Sequence, residues 1–437
     1  MFACNISRSQ ASDNVANGLW RMPDCYKNSS WLRTADVRWR HFPHSSPRRG
    51  RASALAAPSS AERNALTSPA PASRARPAAW RWIAASAAAL ALAGCASGDN
   101  CDPRVAASPQ RAATGCGFRN MDNPQALPSQ SSWKIWSRFF TATKVGTVPV
   151  DPIPVRPLNR AMLDALDPSA NHVIRLGHSS HLLKLHGKYW LIDPVFGERA
   201  SPFSFMGPRR FHPTPMPLSE LPPIEGLILS HDHYDHLDVP TIEYLRERVQ
   251  RYFVPLGVGA RLQEMGVPPQ RVTQFEWWQS EHQGDVQVTA APAQHFSGRT
   301  LWDRNSTLWA SWIIQSGDQR IFYSGDSGYF GGFKTIGERF GGFDLALMEN
   351  GAYDAYWPSV HMTPEQTVQA FIDLRGKLLY GVHNSTFDLA FHRWQDPMDR
   401  LADLARDQKI ELATPEIGEV LTVGQPRTNV RWWAGLR

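Results

Sequence analysis

Cysteine is scarce in this chain of 437 residues: Cys4, Cys25, Cys95, Cys101 and Cys116 are the only five, and none follows position 116. Thiolate metal ligands are therefore excluded from most of the chain, and with them a zinc ribbon. The apolar run from Trp82 to Gly94 has thirteen residues, too few to cross a bilayer. Excess positive charge is also missing where it would matter. The formal net charge is +6, but residues 1–94 hold thirteen Arg and Lys against four Asp and Glu, leaving 33 against 36 for residues 95–437. The portion expected to fold is slightly acidic, so nothing points to nucleic acid as a partner. No internal repeat occurs.

The thirteen-residue run does have the flanks of a secretory leader. Arg74, Arg76 and Arg81 precede it, and it ends in Leu92-Ala93-Gly94-Cys95, the order of basic flank, apolar centre and small residues that a leader requires. The ending resembles a bacterial lipobox, which implies cleavage before Cys95, a diacylated thiol and a lipid anchor in the cell envelope, facing the periplasm. Ahead of it lies a stretch rich in Arg, Ser, Pro and Ala without apolar periodicity, which reads as disordered or as a start upstream of the true one. Residues 1–94 are thus expected to be extension plus signal peptide. Residues 95–132, which turn Ser-, Pro- and Asn-rich after Cys116, are expected to be a tether, and residues 133–437 a catalytic domain. In such a compartment Cys101 and Cys116 are able to pair.

Beyond the tether the pattern becomes regular. Short apolar runs at 172–177, 181–186, 189–193, 226–230, 285–290, 309–315, 320–325, 344–348 and 378–382 read as strands. Helices are expected from Pro240, Thr363 and Pro397, each beginning with residues that suit a first turn. Polar residues of metal-ligand type recur where the strands end. "SHDHYDHLD" puts His231, His233, Asp235 and His236 behind one apolar run; His295, Asp326 and His383 follow three others, and His361 opens "HMTPEQ". Histidines at alternating positions followed by Asp-His suit a cation held by a strand end and its turn.

This ordered set, with "GHSSHLLKLHGKYWLIDPVFGERASP", "GPRRFHPTP", "PAQHFSGRTLWDRNSTLWASW" and "FYSGDSGY", resembles the metallo-β-lactamase superfamily. Within it, the branch containing N-acylphosphatidylethanolamine-hydrolysing phospholipase D is the most similar, over about residues 150–425. The resemblance implies an α/β (α+β) fold, the four-layer αβ/βα sandwich. It also implies two metal ions, His231, His233 and His295 on the first, Asp235, His236 and His383 on the second, and Asp326 bridging them. Zinc is expected, although an all-nitrogen and oxygen donor set also suits iron or manganese. Asp326 argues against β-lactamase activity, since antibiotic-cleaving members typically lack that bridge.

Two divalent ions would lower the pKa of a shared water and neutralise phosphodiester oxygens, so a hydroxide held between them is the expected nucleophile. The reaction implied is phospholipase D-type hydrolysis of N-acylphosphatidylethanolamine or a related phospholipid, releasing phosphatidic acid. A lactonase, a phosphodiesterase with a soluble substrate, and a non-catalytic envelope lipoprotein remain open. Asp235 and His361 are the candidate catalytic side chains. His361 is read as a contact to phosphate or leaving group, or else as a helix-capping surface residue. Asp193 and His178 are expected to support metal-binding residues from behind. Asp232 and Asp238 are expected to flank the site without binding metal. Trp277, Trp278, Trp302, Trp309, Trp312 and Trp357 read mostly as core, with a lipid approach as the alternative. Arg209 and Arg210 read either as phosphate or membrane contacts or as part of a solvated loop.

Overall fold

The computed structural model describes residues 101–121, 134, 137, 138 and 141–437. The expected leader and the Cys95 anchor lie outside the described residues. Among the described residues, fourteen strands form two seven-stranded sheets. The first contains β1 (His172–Gly177), β2 (Ser180–Leu185), β3 (Lys188–Ile192), β4 (Ile224–Ile228), β5 (Val249–Pro255), β6 (Val272–Phe275) and β14 (Val420–Thr422). Its order is β14-β1-β2-β3-β4-β5-β6. The second contains β7 (Ser280–Gln283), β8 (Val286–Ala291), β9 (Ser311–Ser316), β10 (Gln319–Tyr323), β11 (Leu345–Glu349), β12 (Leu379–Val382) and β13 (Leu412–Ala413). They run in the order β13-β12-β11-β10-β9-β8-β7.

The apolar runs are continuous rather than alternating because both faces of each sheet are covered. On β11, Leu345 and Leu347 point between the sheets, whereas Ala346 and Met348 point outward. The layer between the sheets joins Leu183, Trp190, Ile228 and Phe253 of the first to Val288, Trp312, Ile321 and Tyr323 of the second. Outside the first sheet, Leu182, Leu191, Leu227 and Val254 pack with Ile242 and Leu245 of α3 (Val239–Leu245) and with Val258 and Leu262 of α4 (Val258–Glu264). These follow two short helices, α1 (Pro103–Ala107) and α2 (Arg160–Asp164). Outside the second sheet lie α5 (Gly332–Phe340), α6 (Pro364–Asp373) and α7 (Asp396–Asp407), represented by Phe333, Val368, Phe371 and Leu401. The result is helices, sheet, sheet, helices, the expected αβ/βα sandwich. Helix α6 starts where Thr363 caps the Gln366 N–H and the Gln366 side chain returns the bond, a reciprocal arrangement that satisfies two otherwise unpaired donors.

Part of the stretch read as a tether packs onto this sandwich. Cys101 and Cys116 form a disulfide, Phe118 is 2 % exposed within the intersheet layer, and its N–H donates to Asn305 O at 2.8 Å. Its Ser/Pro-rich composition hides one deeply buried aromatic. Among the described residues, no helix is long and apolar enough to cross a membrane.

Candidate metal centre

All the expected donors meet at one end of the two sheets. His231 follows β4, His295 follows β8, Asp326 follows β10, and His383 directly follows β12. Strands β10, β11 and β12 run parallel, so their ends face the same way. Two approaches required special backbone. Gly325 has φ +56°, and a Cβ there would lie 2.8 Å from Ser230 Cβ and 2.9 Å from Ala310 O; its absence lets Asp326 turn in. His178, Asp193 and His383 also occupy the left-handed region although none is glycine, conformational strain of the kind concentrated at functional sites.

The donors form two adjoining clusters. His231, His233, His295 and Asp326 offer ligand atoms all within 4.8 Å of one another, and so do His178, Asp235, His236 and His383. In the first, His231 Nε2 lies 2.8 Å and His295 Nε2 3.3 Å from His233 Nδ1. In the second, His383 Nε2 lies 3.2 Å and His236 Nε2 3.4 Å from Asp235 Oδ2. Asp326 touches both: Oδ1 is 3.1 Å from His236 Nε2, and Oδ2 is 3.0 Å from His383 Nε2 and 3.8 Å from both His231 Nε2 and His295 Nε2.

The surroundings fix which ring nitrogen faces inward. His236 Nδ1 donates to Asp193 Oδ2 at 2.7 Å, and His295 Nδ1 to Val360 O at 3.0 Å, leaving each Nε2 with a lone pair directed at the cluster. His236 Nε2 and Asp326 Oδ1 are buried and make no hydrogen bond among the described residues. Buried polar atoms are seldom left so, and ring nitrogens and carboxylate oxygens converging on one small volume fit a cation. Asn120, from the docked N-terminal stretch, brackets the His295 backbone. It donates to His295 O at 2.8 Å and accepts from His295 N at 3.0 Å.

Residues 189–384 match the Beta-lactamase superfamily domain. An uncharacterized protein of Mycobacterium tuberculosis is 41% identical over 290 residues, spanning 65% of this chain and 77% of that one. N-acyl-phosphatidylethanolamine-hydrolyzing phospholipase D 1 of Caenorhabditis elegans is 35% identical over 263 residues, 56% of this chain and 74% of that one. Outer membrane protein RomA of Klebsiella pneumoniae is 53% identical over 96 residues, 22% of this chain and 72% of that one. The chain belongs to the metallo-β-lactamase superfamily. It is a metal-dependent hydrolase of that superfamily, related to the N-acyl-phosphatidylethanolamine-hydrolyzing phospholipases D.

The electrostatics of this metallo-β-lactamase-superfamily site divide by cluster. Burial holds His231 and His295 well below the usual imidazole range and His233 below it too, aided at His231 by the neighbouring His236 and His233. These three stand ready as neutral ligands. In the second cluster burial also opposes charge on His236 and His383, but Asp326 and Asp235 outweigh it there. His236 is held well above its ordinary value and His383 is raised to about 10. Burial disfavours charge on Asp235 and Asp326 as well, yet the adjacent histidines keep both carboxyls well below the carboxylate range. A cation held by these residues would replace those imidazole protons as the counter-charge, which would link loading to deprotonation.

Asp193 supports His236 from behind, as expected, whereas His178 stands among the donors of the second cluster. Asp193 accepts from Ser230 N at 2.7 Å, from Ser230 Oγ and Tyr323 Oη, and from His236. His178 Nε2 lies 3.0 Å from Asp235 Oδ2, and burial pushes this imidazole down to about 3, so the neutral ring donates and steers the carboxylate. Asp232 accepts from Gly298 N at 2.8 Å, and Asp238 from Gly197 N at 3.0 Å; both hold loops. Trp277, Trp309, Trp312 and Trp357 are buried, Trp278 packs partly against the core, and only Trp302 stands out in solvent. Glu349 was missed by sequence reasoning. It is fully buried at the end of β11, accepting from His361 Nδ1 at 3.0 Å and from Met362 N at 2.8 Å. Its signal was available: a lone acid closing the apolar run "DLALME", the place where the other site residues follow their strands.

Proposed function

We propose that this chain is a dinuclear phosphodiesterase of phospholipase D type, acting on N-acylphosphatidylethanolamine or a related glycerophospholipid. The observation that carries the reading is the position of Asp326, whose two oxygens reach the donors of both clusters. Structural zinc sites are closed and mononuclear, so a carboxylate shared between two donor clusters favours catalysis over mere stabilisation. His231, His233 and His295 would hold one ion and Asp235, His236 and His383 the other, with Asp326 between them. Zinc suits these donors, as do iron and manganese. When bound, two divalent ions supply Lewis acidity, which lowers the pKa of water at the site and offsets charge on the phosphoryl oxygens.

The chain's own side chains do the rest. Asp235, steered by His178, and Asp326 present buried carboxylates that fix where positive charge sits. His361, oriented by Glu349 through Nδ1, is partly exposed beside Asp326 and His383, and its Nε2 would face the reacting group. There it holds the proton that passes to the leaving alcohol oxygen as the phosphorus–oxygen bond breaks. Asp326, His361 and His383 offer atoms within 4.8 Å of one another, so that proton is delivered beside the reacting centre. The named substrate of the C. elegans relative supports the lipid class, and the name of RomA supports an envelope location; an anchor at Cys95 rests on the lipobox-like sequence alone.

The test compares turnover of an N-acylated phosphatidylethanolamine, a soluble aryl phosphodiester and a lactone by the purified chain. Release of phosphatidic acid, lost in His233→Ala, is expected. Turnover of only the soluble compounds would remove the lipid reading, and full activity in His233→Ala would remove the metal mechanism.

A further inference from the structure

Two loops beside the metal centre carry apolar side chains that the hydrolytic chemistry does not use. The first projects between Arg199 and Arg209, which pair at its base, with Ala200 N–H donating to Pro208 O at 3.1 Å. Its tip exposes Phe203, Phe205 and Met206, Phe205 to 76 %, with the two phenyl rings 5.6 Å apart. The second presents Leu301 and Trp302, exposed to 78 % and 91 %. Between the loops lies an open cleft of about 820 Å³ lined by Pro202 and Phe203 on one side and Arg299 and Thr300 on the other.

The second loop is held in this posture. Asp303 accepts from Arg299 N at 3.0 Å, from Thr300 N at 2.7 Å and from Thr300 Oγ1 at 2.9 Å, and Arg261 pairs with the same carboxylate. The turn is stapled at its base while Leu301 and Trp302 stay in water. The loop also reaches the centre: Arg304 stacks 5.2 Å over the Phe296 ring, which lies 4.6 Å from His233 and 4.7 Å from His295.

Beside the first loop is a further cleft of about 560 Å³, lined by Lys144, Arg199, Arg209 and Arg210, with Asp388 its one acidic residue. Lys144 pairs with Asp388 at 2.8 Å, and Arg209 reaches Glu198 at 3.5 Å, so the cleft keeps an excess of positive charge. Large aromatic and aliphatic tips on separate prongs, with arginines behind them, do not make the continuous packed patch that a protein partner needs. They suit a fluid interface, where apolar tips sit among acyl chains and headgroups while guanidinium groups meet phosphates.

We propose that the loops 200–208 and 299–303 dock the protein on an anionic phospholipid bilayer. Phe203, Phe205, Met206, Leu301 and Trp302 enter the headgroup region, and the Arg199–Arg209 cleft binds lipid phosphate. This deepens the phospholipid reading above and rests on it for its setting, but binding is measurable without turnover.

The test uses the full chain carrying Cys95→Ser, so that no lipid anchor is attached, with and without the triple change Phe205→Ser, Leu301→Ser and Trp302→Ser. Sedimentation with vesicles of phosphatidylethanolamine and phosphatidylglycerol is compared with turnover of a soluble aryl phosphodiester. The triple variant is expected to bind vesicles roughly tenfold or more weakly while its soluble turnover and melting temperature match the parent. A single Arg209→Glu change is expected to weaken binding to those vesicles and not to pure phosphatidylcholine. Undiminished vesicle binding in the triple variant, or no binding by the parent, overturns the proposal. Loop-dependent binding without any phospholipid turnover would instead refute the substrate reading and leave the docking surface standing.

Discussion

Replacing Asp193 with Asn probes how the sandwich prepares its second donor cluster. Three donors, His236 Nδ1, Ser230 Oγ and Tyr323 Oη, converge on Oδ2, while Ser230 N–H uses Oδ1. An amide has one oxygen. If it takes the Oδ2 position, its NH₂ group faces Ser230 N–H, and the carboxylate charge that helps raise His236 is gone. If it takes the Oδ1 position, the NH₂ group meets His236 Nδ1, forces that nitrogen to accept, and moves the ring proton to Nε2, where the metal lone pair should be. Both arrangements weaken the second cluster, and loss of such an outer partner lowers metal affinity by about 10–100-fold, or roughly 1.4–2.7 kcal/mol. The first cluster feels less, through Ser230 Oγ at 2.9 Å from His231 Nδ1. Competition between Asp193→Asn protein and a chromophoric chelator reads the change directly. The account expects one weakened ion and one close to wild type. Wild-type affinity for both would refute the reasoning that Asp193 sets the His236 tautomer.

Glu349→Gln keeps the shape of the residue behind His361 but loses its charge; kcat should fall by about tenfold with metal content unchanged in elemental analysis, and an unaltered kcat would remove its positioning role. His181 is buried between Ser179 O at 3.0 Å and Tyr380 Oη at 2.9 Å, and burial pushes it down to about 3. With the folded pKa depressed, the unfolded chain takes up the proton first as pH falls below about 6.5. This histidine therefore costs roughly 1.4 kcal/mol per pH unit between there and about 3, and melting curves of His181→Gln should be less acid-sensitive than wild type. Gly226→Ala would place Cβ 2.2 Å from the Trp190 ring in the intersheet layer, so chemical denaturation should show a loss of about 1–3 kcal/mol from overpacking; an equally stable variant would contradict that packing.

Legibility in the sequence followed chemistry more than geometry. Nine apolar runs marked strands because two buried faces leave little room for polar residues, and the ends differ by at most two residues, as at 226–230 against Ile224–Ile228. Strand β5, "VQRYFVP", went unseen because Gln250 and Arg251 interrupt its apolar run near the partly exposed end. Strand β7, with Ser280 to Glu281 and His282 exposed at the sheet edge, offered no apolar signal at all. Helix α5 was missed since its buried face uses Gly332 and Gly337 beside Phe333 and Ile336, a small-residue stripe that hydrophobic periodicity does not register. The site donors were legible because each lies in the segment that leaves the end of an apolar strand. Asn120 was not, because a lone Asn in a polar stretch has no local mark of the bonds it makes to His295.

The central claim is that Asp326 joins two cation sites in one reacting centre. It is tested most directly by elemental analysis of the purified chain and of Asp326→Ala after exhaustive dialysis. The account predicts two divalent ions per wild-type chain, with both occupancies reduced in Asp326→Ala. A wild-type chain holding a single ion, or a variant that keeps its full complement, would contradict it.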